Sequence, residues 1–385
     1  MNLAGLIFVQ WGSKIRSIER EMRFAKMNTA RIEKVIAGMH DLGISQLLVS
    51  SPASVFYLTG KWIQPGERML AFLVKENGEC CLYANRLFAL SGNVEVPLVE
   101  FDDTEDCVAV LAAGLTDGKI GIDKFWPSQF TIRLMEQRRG IVPVVGSSAV
   151  DLARLYKDED EIRRMVESSR KNDETIEAVI AGLHPGMSEM DGAELYTREA
   201  TARGATGMSF DPLICYGPNC AEPHHSSDRV TRLKAGDSVI IDVGLVWQDY
   251  CSDMTRTVFL GEPTDEQKRV YELVRKANEA GRAAVRPGVP VCEVDRAARQ
   301  VIEDAGYGKY FIHRTGHGIG LECHEYPDVS RTGTAVCRPG MCFSVEPGIY
   351  LPGKFGVRIE DLVCVTEDGA QVLNAVSREL RCIEG

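Results

Sequence analysis

Five side chains in the C-terminal half have the types and spacing of a metal centre. Asp242 and Asp253 lie in one apolar stretch, SVIIDVGLVWQDYCSDMTRTV, and Glu346 and Glu360 lie in a second, running from FSVEPGIY to VRIEDLVCV. His317 stands between them in HRTGHGIG. Both stretches read as β-hairpins. Four carboxylates on apolar strands are costly to bury unless something cationic pairs with them. Two divalent cations would neutralise them, and a neutral imidazole adds a nitrogen ligand. Two such metals, about 4 Å apart, lower the pKa of a shared water toward neutrality, so the chemistry indicated is metal-assisted hydrolysis.

Histidines form the next layer. Of seven in the chain, five are His224, His225, His313, His317 and His324. Those beside a metal pair would bond to a substrate carbonyl or leaving group. His224 and His225 are adjacent, so a slip of one residue decides which faces the site. Gly316, Gly318 and Gly320 form G-x-G-x-G, but no βαβ unit surrounds them. They are read instead as backbone that lets His317 approach a metal. No GxSxG occurs, and Ser344 sits two residues before Glu346, so serine catalysis is not supported.

An internal repeat would place these residues. HPGMSE at 184–189 and RPGVPV at 286–291 both set Pro-Gly before a helical pattern. Gly236 follows Gly186 by 50 residues, and Gly340 follows Gly288 by 52. Six positions after each comes an acid, Asp242 or Glu346, and two further on a glycine, Gly244 or Gly348. The spacing predicts two similar α+β halves related by a pseudo-twofold and meeting at a shared site. Because strand side chains alternate, Ile240, Asp242 and Gly244 share one face, and so do Arg358, Glu360 and Leu362.

Upstream, residues 27–150 read as a smaller α/β domain. ARIEKVIAGMHDLG is a helix closed by Gly43, ISQLLVS a buried strand, and MLAFLVKENGECCLYA two strands joined at Asn77-Gly78. KIGID and IVPVV are further strands. This region holds no cluster of acids or histidines and reads as a structural or oligomerising module. The charged stretch DLARLYKDEDEIRRMVESSRKNDETIEAVIAGL is helix-periodic with no glycine before Gly182, and it opens a second domain, 151–385. Residues 1–26 read as a flexible or helical N-terminal extension, with Met27 beginning a more ordinary opening.

Composition narrows the class. A net charge of −11 argues against a nucleic-acid binder, and no apolar run approaches the length of a membrane span. Twelve scattered cysteines without a CxxC read as reduced thiols in a cytoplasm.

GPNCAEPHH, GDSVIIDVG, YCSDMTRT, FIHRTGHGIGLECHE, SVEPGIY and GVRIED together resemble the pita-bread metallopeptidase family, in its Xaa-Pro dipeptidase (prolidase) and aminopeptidase P branch. The resemblance spans nearly everything from 27 to 380. It implies a creatinase-like N-terminal domain before a pita-bread catalytic domain, a homodimer, and a pair of Mn²⁺ ions, or else Co²⁺ or Zn²⁺. It implies Asp242 as a bidentate ligand to one metal, Asp253 and Glu360 as bridging ligands, and His317 and Glu346 as ligands to the other. Glu346 would also be the general base. His224, His313 and His324 would surround the scissile bond, with Tyr350 and Arg358 orienting the site. PHHSSDRVTRLKAGD is a residue longer than the family spacing, which leaves His224 and His225 as alternatives. The implied activity is hydrolysis of the Xaa-Pro bond of dipeptides or short peptides; the alternative is the small-molecule hydrolase or lyase chemistry of relatives on the same fold. Metal-free amidinohydrolases of this fold have lost ligands that this chain keeps, scaffold members lack the ligand set, and methionine aminopeptidases usually lack a domain like 27–150.

Overall fold

A computed structural model describes residues 27–384. The predicted extension, 1–26, lies outside the described residues. The chain divides into two compact units, one ending at Arg154 and one beginning at Leu155.

The first unit is built on a six-stranded sheet. Its helices are α1 (Thr29–Leu42), α2 (Pro52–Thr59), α3 (Cys107–Ala113), α4 (Ser128–Gln137) and α5 (Ser148–Leu155, which runs to the boundary). Its strands are β1 (Gln46–Val49), β2 (Ala71–Lys75), β3 (Cys80–Asn85), β4 (Leu98–Phe101), β5 (Gly118–Ile122) and β6 (Ile141–Val145), in the order β4-β3-β2-β1-β5-β6. Asn28 caps α1, and Gly43, at φ 62°, ends it. The β2–β3 hairpin turns at Asn77-Gly78, where Gly78 has φ 86°. One face of the sheet packs Leu48, Leu73, Ile120 and Ile122 against Val108, Leu111, Phe130 and Leu134 from α3 and α4.

The second unit is a repeat. In its first half, α6 (Glu159–Gly182) and α7 (Glu189–Ala202) precede β7 (Gly207–Met208), β8 (Leu213–Tyr216), β9 (Ser238–Val243), β10 (Leu245–Trp247), β11 (Tyr250–Cys251) and β12 (Met254–Leu260). In its second half, α8 (Asp265–Ala284) and α9 (Val291–Asp304) precede β13 (Gly316–Gly318), β14 (Glu325–Val329), β15 (Cys342–Val345), β16 (Gly348–Leu351), β17 (Phe355–Arg358) and β18 (Asp361–Val365). β19 (Ala370–Val372) and β20 (Cys382–Ile383) extend the two main sheets, ordered β20-β12-β9-β8 and β14-β13-β15-β18-β19.

The four glycines of the spacing argument do the same work in each half. Gly186, Gly236, Gly288 and Gly340 have φ of 81°, 87°, 85° and 87°. Gly186 N donates to Leu233 O at 2.8 Å, and Leu233 N returns a bond to Met187 O at 3.0 Å. In the second half Gly288 N donates to Cys337 O at 2.9 Å, and Cys337 N to Val289 O at 2.8 Å.

Two expectations need correction. The charged stretch after 151 is not one helix: α5 ends at Leu155, Tyr156 bridges Met341, and Asp158 starts α6 through a reciprocal capping box with Glu161. Of the four acids, only Asp242 lies within a strand. Asp253, Glu346 and Glu360 fall just outside strand ends, where the paired strands open.

Candidate active site

Each half delivers its acids by the same device, an antiparallel pair with a smaller hairpin inserted. β9 pairs with β12 around β10–β11, and β15 pairs with β18 around β16–β17. The inner hairpin β10–β11 turns at Gln248 and Asp249, both at positive φ. In the first half Asp242 stands opposite Thr255, and Asp253 immediately precedes β12. In the second, Glu346 and Glu360 come one step beyond the last strand pair, Val345–Asp361.

Helices and one arginine brace these strand ends from behind. Asn172 of α6 donates to Val243 O at 3.0 Å and accepts from Tyr196 at 2.6 Å. Asn278 of α8 donates to Val345 O at 2.9 Å and Ile359 O at 3.3 Å. The buried Arg256 gives Nη1 to Glu360 O at 2.6 Å and to Thr255 O at 2.9 Å, while its Nη2 pairs with Asp361 at 2.8 Å. An arginine buried this deeply is held by charge pairing and a full set of carbonyl acceptors.

The structure brings the five candidate ligands together. His317 Nε2 lies 3.6 Å from Asp253 Oδ2 and 3.5 Å from Glu346 Oε1. These spacings are too long for hydrogen bonds and short enough for one small cation to touch both sides. Asp253, His317 and Glu360 each bring a ligand atom within 4.8 Å of the other two. Thr255 Oγ1 lies 3.0 Å from Asp242 Oδ1 and 2.7 Å from Glu360 Oε2, so it joins the acids of the two halves. Arg358 Nη2 meets Asp242 Oδ2 at 2.5 Å, and Arg358 Nε donates to Thr255 Oγ1 at 3.1 Å.

Polar satisfaction and charge both indicate a cation. Asp253 Oδ1 and Glu360 Oε1 are buried with no hydrogen-bond partner. A native fold rarely leaves such atoms orphaned. Burial, followed by repulsion from the neighbouring acids (Asp242 and Glu346 on Asp253; Asp253, Glu346 and Asp242 on Glu360), pushes both far above the carboxylate range. Glu346 rises to about 7, chiefly through burial. Burial holds His317 down to about 3, so the ring is neutral. Its Nδ1 lies 3.1 Å from Gly318 O, which assigns the proton there and leaves the Nε2 lone pair facing two carboxylates. A lone pair among unpartnered carboxylates is repulsive by itself and attractive around divalent metal, so the donor set fits.

A cavity of about 820 Å³ opens over these groups, within the size range of small-molecule sites. His224, His313, Arg314, His324, Phe210 and Asp211 line it. His313 is neutral, its pKa lowered to about 3 by burial and then by Arg358. Its Nδ1 lies 2.7 Å from Arg314 O, and its Nε2 lies 2.8 Å from the Tyr350 hydroxyl. Arg358 Nη1 donates to that hydroxyl at 3.0 Å, so the Tyr350 proton points to His313. His324 is exposed to the cavity, and its ring meets His317 edge-on with centroids 4.2 Å apart.

The adjacent histidines have different surroundings. His225 Nε2 lies 3.0 Å from Glu189 Oε2, while the more exposed His224 opens to the cavity. Glu189, His225 and Asp228 are close enough for a metal, but Glu189 already accepts from Tyr216 N, Asn219 Nδ2 and Asp228 N at 2.8, 3.0 and 3.1 Å. The trio is a hydrogen-bonded clasp on the loop that carries His224.

Several site residues were missed from the sequence. Thr255 was legible in principle, because pairing β9 with β12 puts it opposite Asp242. Ser344, set aside as a nucleophile, accepts from His317 N at 3.0 Å and donates to Glu346 Oε1 at 3.2 Å. Cys323 donates to Asp253 Oδ2 at 3.3 Å, and Arg314 adds a cation to the cavity wall. No local signal marked these last two.

Known proteins show the same organisation. Residues 31–156 match the creatinase/prolidase N-terminal domain, and residues 163–367 match metallopeptidase family M24. An uncharacterized peptidase of Staphylococcus saprophyticus is 36% identical over 361 residues, covering 90% of this chain and all of the relative. A dipeptidase structure from Pyrococcus horikoshii OT3 is 35% identical with a TM-score of 0.87, covering 92% of this chain and 100% of its own. A recombinant prolidase structure from Thermococcus sibiricus is 34% identical with a TM-score of 0.88, covering 92% and 98%. With its fold, its creatinase-type N-terminal unit and its carboxylate–histidine centre, the chain belongs to metallopeptidase family M24.

Proposed function

We propose that this metallopeptidase hydrolyses the Xaa-Pro bond of dipeptides or short peptides. One observation carries the reading: a cavity ringed by His224, His313 and His324 opens onto orphaned carboxylate oxygens. The similarity to a prolidase and a dipeptidase supports the choice of bond. Asp242, Asp253, His317, Glu346 and Glu360 would hold two divalent ions, Mn²⁺ before Co²⁺ or Zn²⁺, which when bound supply an acidified water and a Lewis acid.

The protein's own groups then have distinct tasks. Glu346 accepts the proton of the attacking water at a carboxylate oxygen, since its side chain is still 16% exposed toward the cavity. Ser344 holds that carboxylate in place through the 3.2 Å bond. His324, exposed beside His317, donates to the carbonyl oxygen as negative charge develops there. Arg358 orients Asp242 and, through Tyr350, fixes His313 as a neutral ring. His224 and His313 close on the proline side. Proline lacks an amide proton and holds φ near −65°, so a pocket shaped to its tertiary amide separates it from other residues.

Release of the N-terminal residue from Ala-Pro and Ala-Pro-Ala by manganese-loaded protein, with a chelated control, tests the proposal. Cleavage of the dipeptide alone indicates a prolidase, and cleavage of both an aminopeptidase P. Failure on both with two metals bound would overturn the peptide reading in favour of small-molecule chemistry on the same fold.

A further inference from the structure

The β15–β18 pair carries two thiols that the proposed reaction does not use. Cys342 and Cys364 are register partners across it, and both are buried. Backbone bonds identify the kind of pair they form. Val365 N donates to Met341 O at 2.8 Å, whereas Leu373 N donates to Leu362 O at 2.9 Å on the other edge of β18. Cys342 O likewise turns away from β18, accepting from Ile319 N at 3.3 Å. Odd-numbered residues of β18 therefore bond to β15 and even-numbered ones face away. Cys342–Cys364 is a non-hydrogen-bonded pair, whose Cα atoms in general lie about 4.5 Å apart. That is within the window of about 4.4–6.8 Å in which two cysteines can be joined, at its short end.

Their surroundings favour reaction with each other. Backbone contacts to the sulfurs are long, 3.9 Å from Cys342 Sγ to Gly340 O and 3.8 Å from Cys364 Sγ to Val365 O. The interaction between the two thiols and the Lys157 cation draw Cys364 below the ordinary thiol value against burial, while the same interaction and burial push Cys342 well above it, so Cys364 is the thiolate of the pair and Cys342 keeps its proton. Lys157 is itself buried beside the pair, held by Glu325 at 3.2 Å.

We propose that Cys342 and Cys364 are a redox modification site, joined by a peroxide into a reversible cross-strand disulfide that lowers hydrolytic activity. The Cys364 thiolate attacks one oxygen of hydrogen peroxide, forming a sulfenic acid and releasing hydroxide. The Cys342 sulfur then displaces the sulfenic hydroxyl, which leaves as water with the Cys342 proton. Two thiols lose two electrons and two protons, and one peroxide becomes two waters. The bond reaches the metal centre along one face of the sheet. Cys342, Ser344 and Glu346 alternate on one side, with Cys364, Leu362 and Glu360 opposite, so the thiol pair is roughly 14 Å from the acids. Ser344 lies between, bonded to Glu346 and to His317 N. The loss of activity rests on the proposed peptidase function; formation of the bond does not.

The test treats manganese-loaded protein with hydrogen peroxide, alkylates the remaining thiols and maps peptides without reduction. A peptide joining Cys342 to Cys364 is expected in the wild type and in neither C342S nor C364S. Ala-Pro hydrolysis should fall severalfold, recover with dithiothreitol, and resist the same exposure in both variants. Alkylation of both thiols after peroxide would overturn the proposal, whether or not the variants fold. Equal loss of activity in wild type and variants would overturn the regulatory half. A linked peptide in protein that cleaves no Xaa-Pro substrate would keep the disulfide and sink the substrate reading.

Discussion

In the first half of the repeat, the residue after the cavity histidine His224 is His225, and it leans on the buried anion Glu189. In the second half, the residue after His324 is Glu325, and it leans on the buried cation Lys157. The place of the clasp is the same and its charge is reversed. The acids differ in a parallel way. Asp242 receives a guanidinium from the second half, Arg358, whereas Asp253 and Glu360 keep orphaned oxygens. The repeat thus keeps chain path and glycine geometry while its chemistry diverges, and the asymmetry lets two similar halves make one site.

Asp253 gives the largest test of that union, since it comes from the first half and faces His317 of the second. Asp253→Asn is expected to abolish Ala-Pro hydrolysis and to lower bound metal, measured by elemental analysis of dialysed protein. Full metal loading with wild-type activity would separate Asp253 from the centre.

The unpaired acids should also dominate the pH response of metal-free protein. Glu346 is raised from the ordinary carboxylate value to about 7, and Asp253 and Glu360 move in the same direction. A folded-state pKa above the unfolded one means the native state holds the extra proton. Its contribution is complete below the unfolded pKa, about 4.3 for glutamate, and is lost as pH rises through the folded one. Chelated protein should therefore melt at progressively lower temperature from about pH 5 to 8, and manganese should flatten the trend. Parallel curves with and without metal would show that these carboxylates do not share a cation.

What the sequence made legible was what repeats or lies close along the chain. Pro-Gly turns, the glycines six residues before Asp242 and Glu346, and GHGIG around His317 are local patterns, and the halves they mark are present. Alternation alone could not show that Asp253, Glu346 and Glu360 sit past strand ends, because it carries no information on where pairing stops. Arg358 reaches Asp242 across 116 residues, a contact that exists only after the halves dock, and Glu189 reaches His225 across 36 within the first half, a contact that exists only once that half has folded. The break at Tyr156–Asp158 was hidden for the opposite reason. The helical period runs through it, while a β-bridge to Met341 and the Asp158 cap override the local preference.

The two clasps should fail unequally. Removing Glu325 leaves Lys157 buried, its side chain only 2% exposed, without its carboxylate. Stranding such a charge costs on the order of 3–5 kcal/mol. Removing His225 leaves Glu189 with its bonds to Tyr216, Asn219 and Asp228, so about 1–2 kcal/mol is expected. Chemical denaturation of metal-loaded Glu325→Ala and His225→Ala should give that order. The same pair separates the adjacent histidines: His224→Ala should lower kcat/KM without changing the denaturation midpoint, whereas His225→Ala should move both. The reverse pattern would make His225 the residue that meets substrate.

The smallest difference lies in the glycines that define the repeat. Gly236 and Gly340 share a φ of 87°, so alanine at either is forced into a left-handed conformation that costs about 1–2 kcal/mol. Their surroundings differ. An added Cβ at Gly236 meets nothing within 4 Å, whereas at Gly340 it would lie 2.8 Å from the carbonyl oxygen of Lys157. That oxygen is fixed backbone next to the β-bridge at Tyr156, and the Lys157 amide is itself bonded to Gly340 O at 2.9 Å. The segment cannot yield without losing that bond. Gly340→Ala should therefore lower the denaturation midpoint further than Gly236→Ala, and equal losses would show that backbone strain alone sets the cost in both halves.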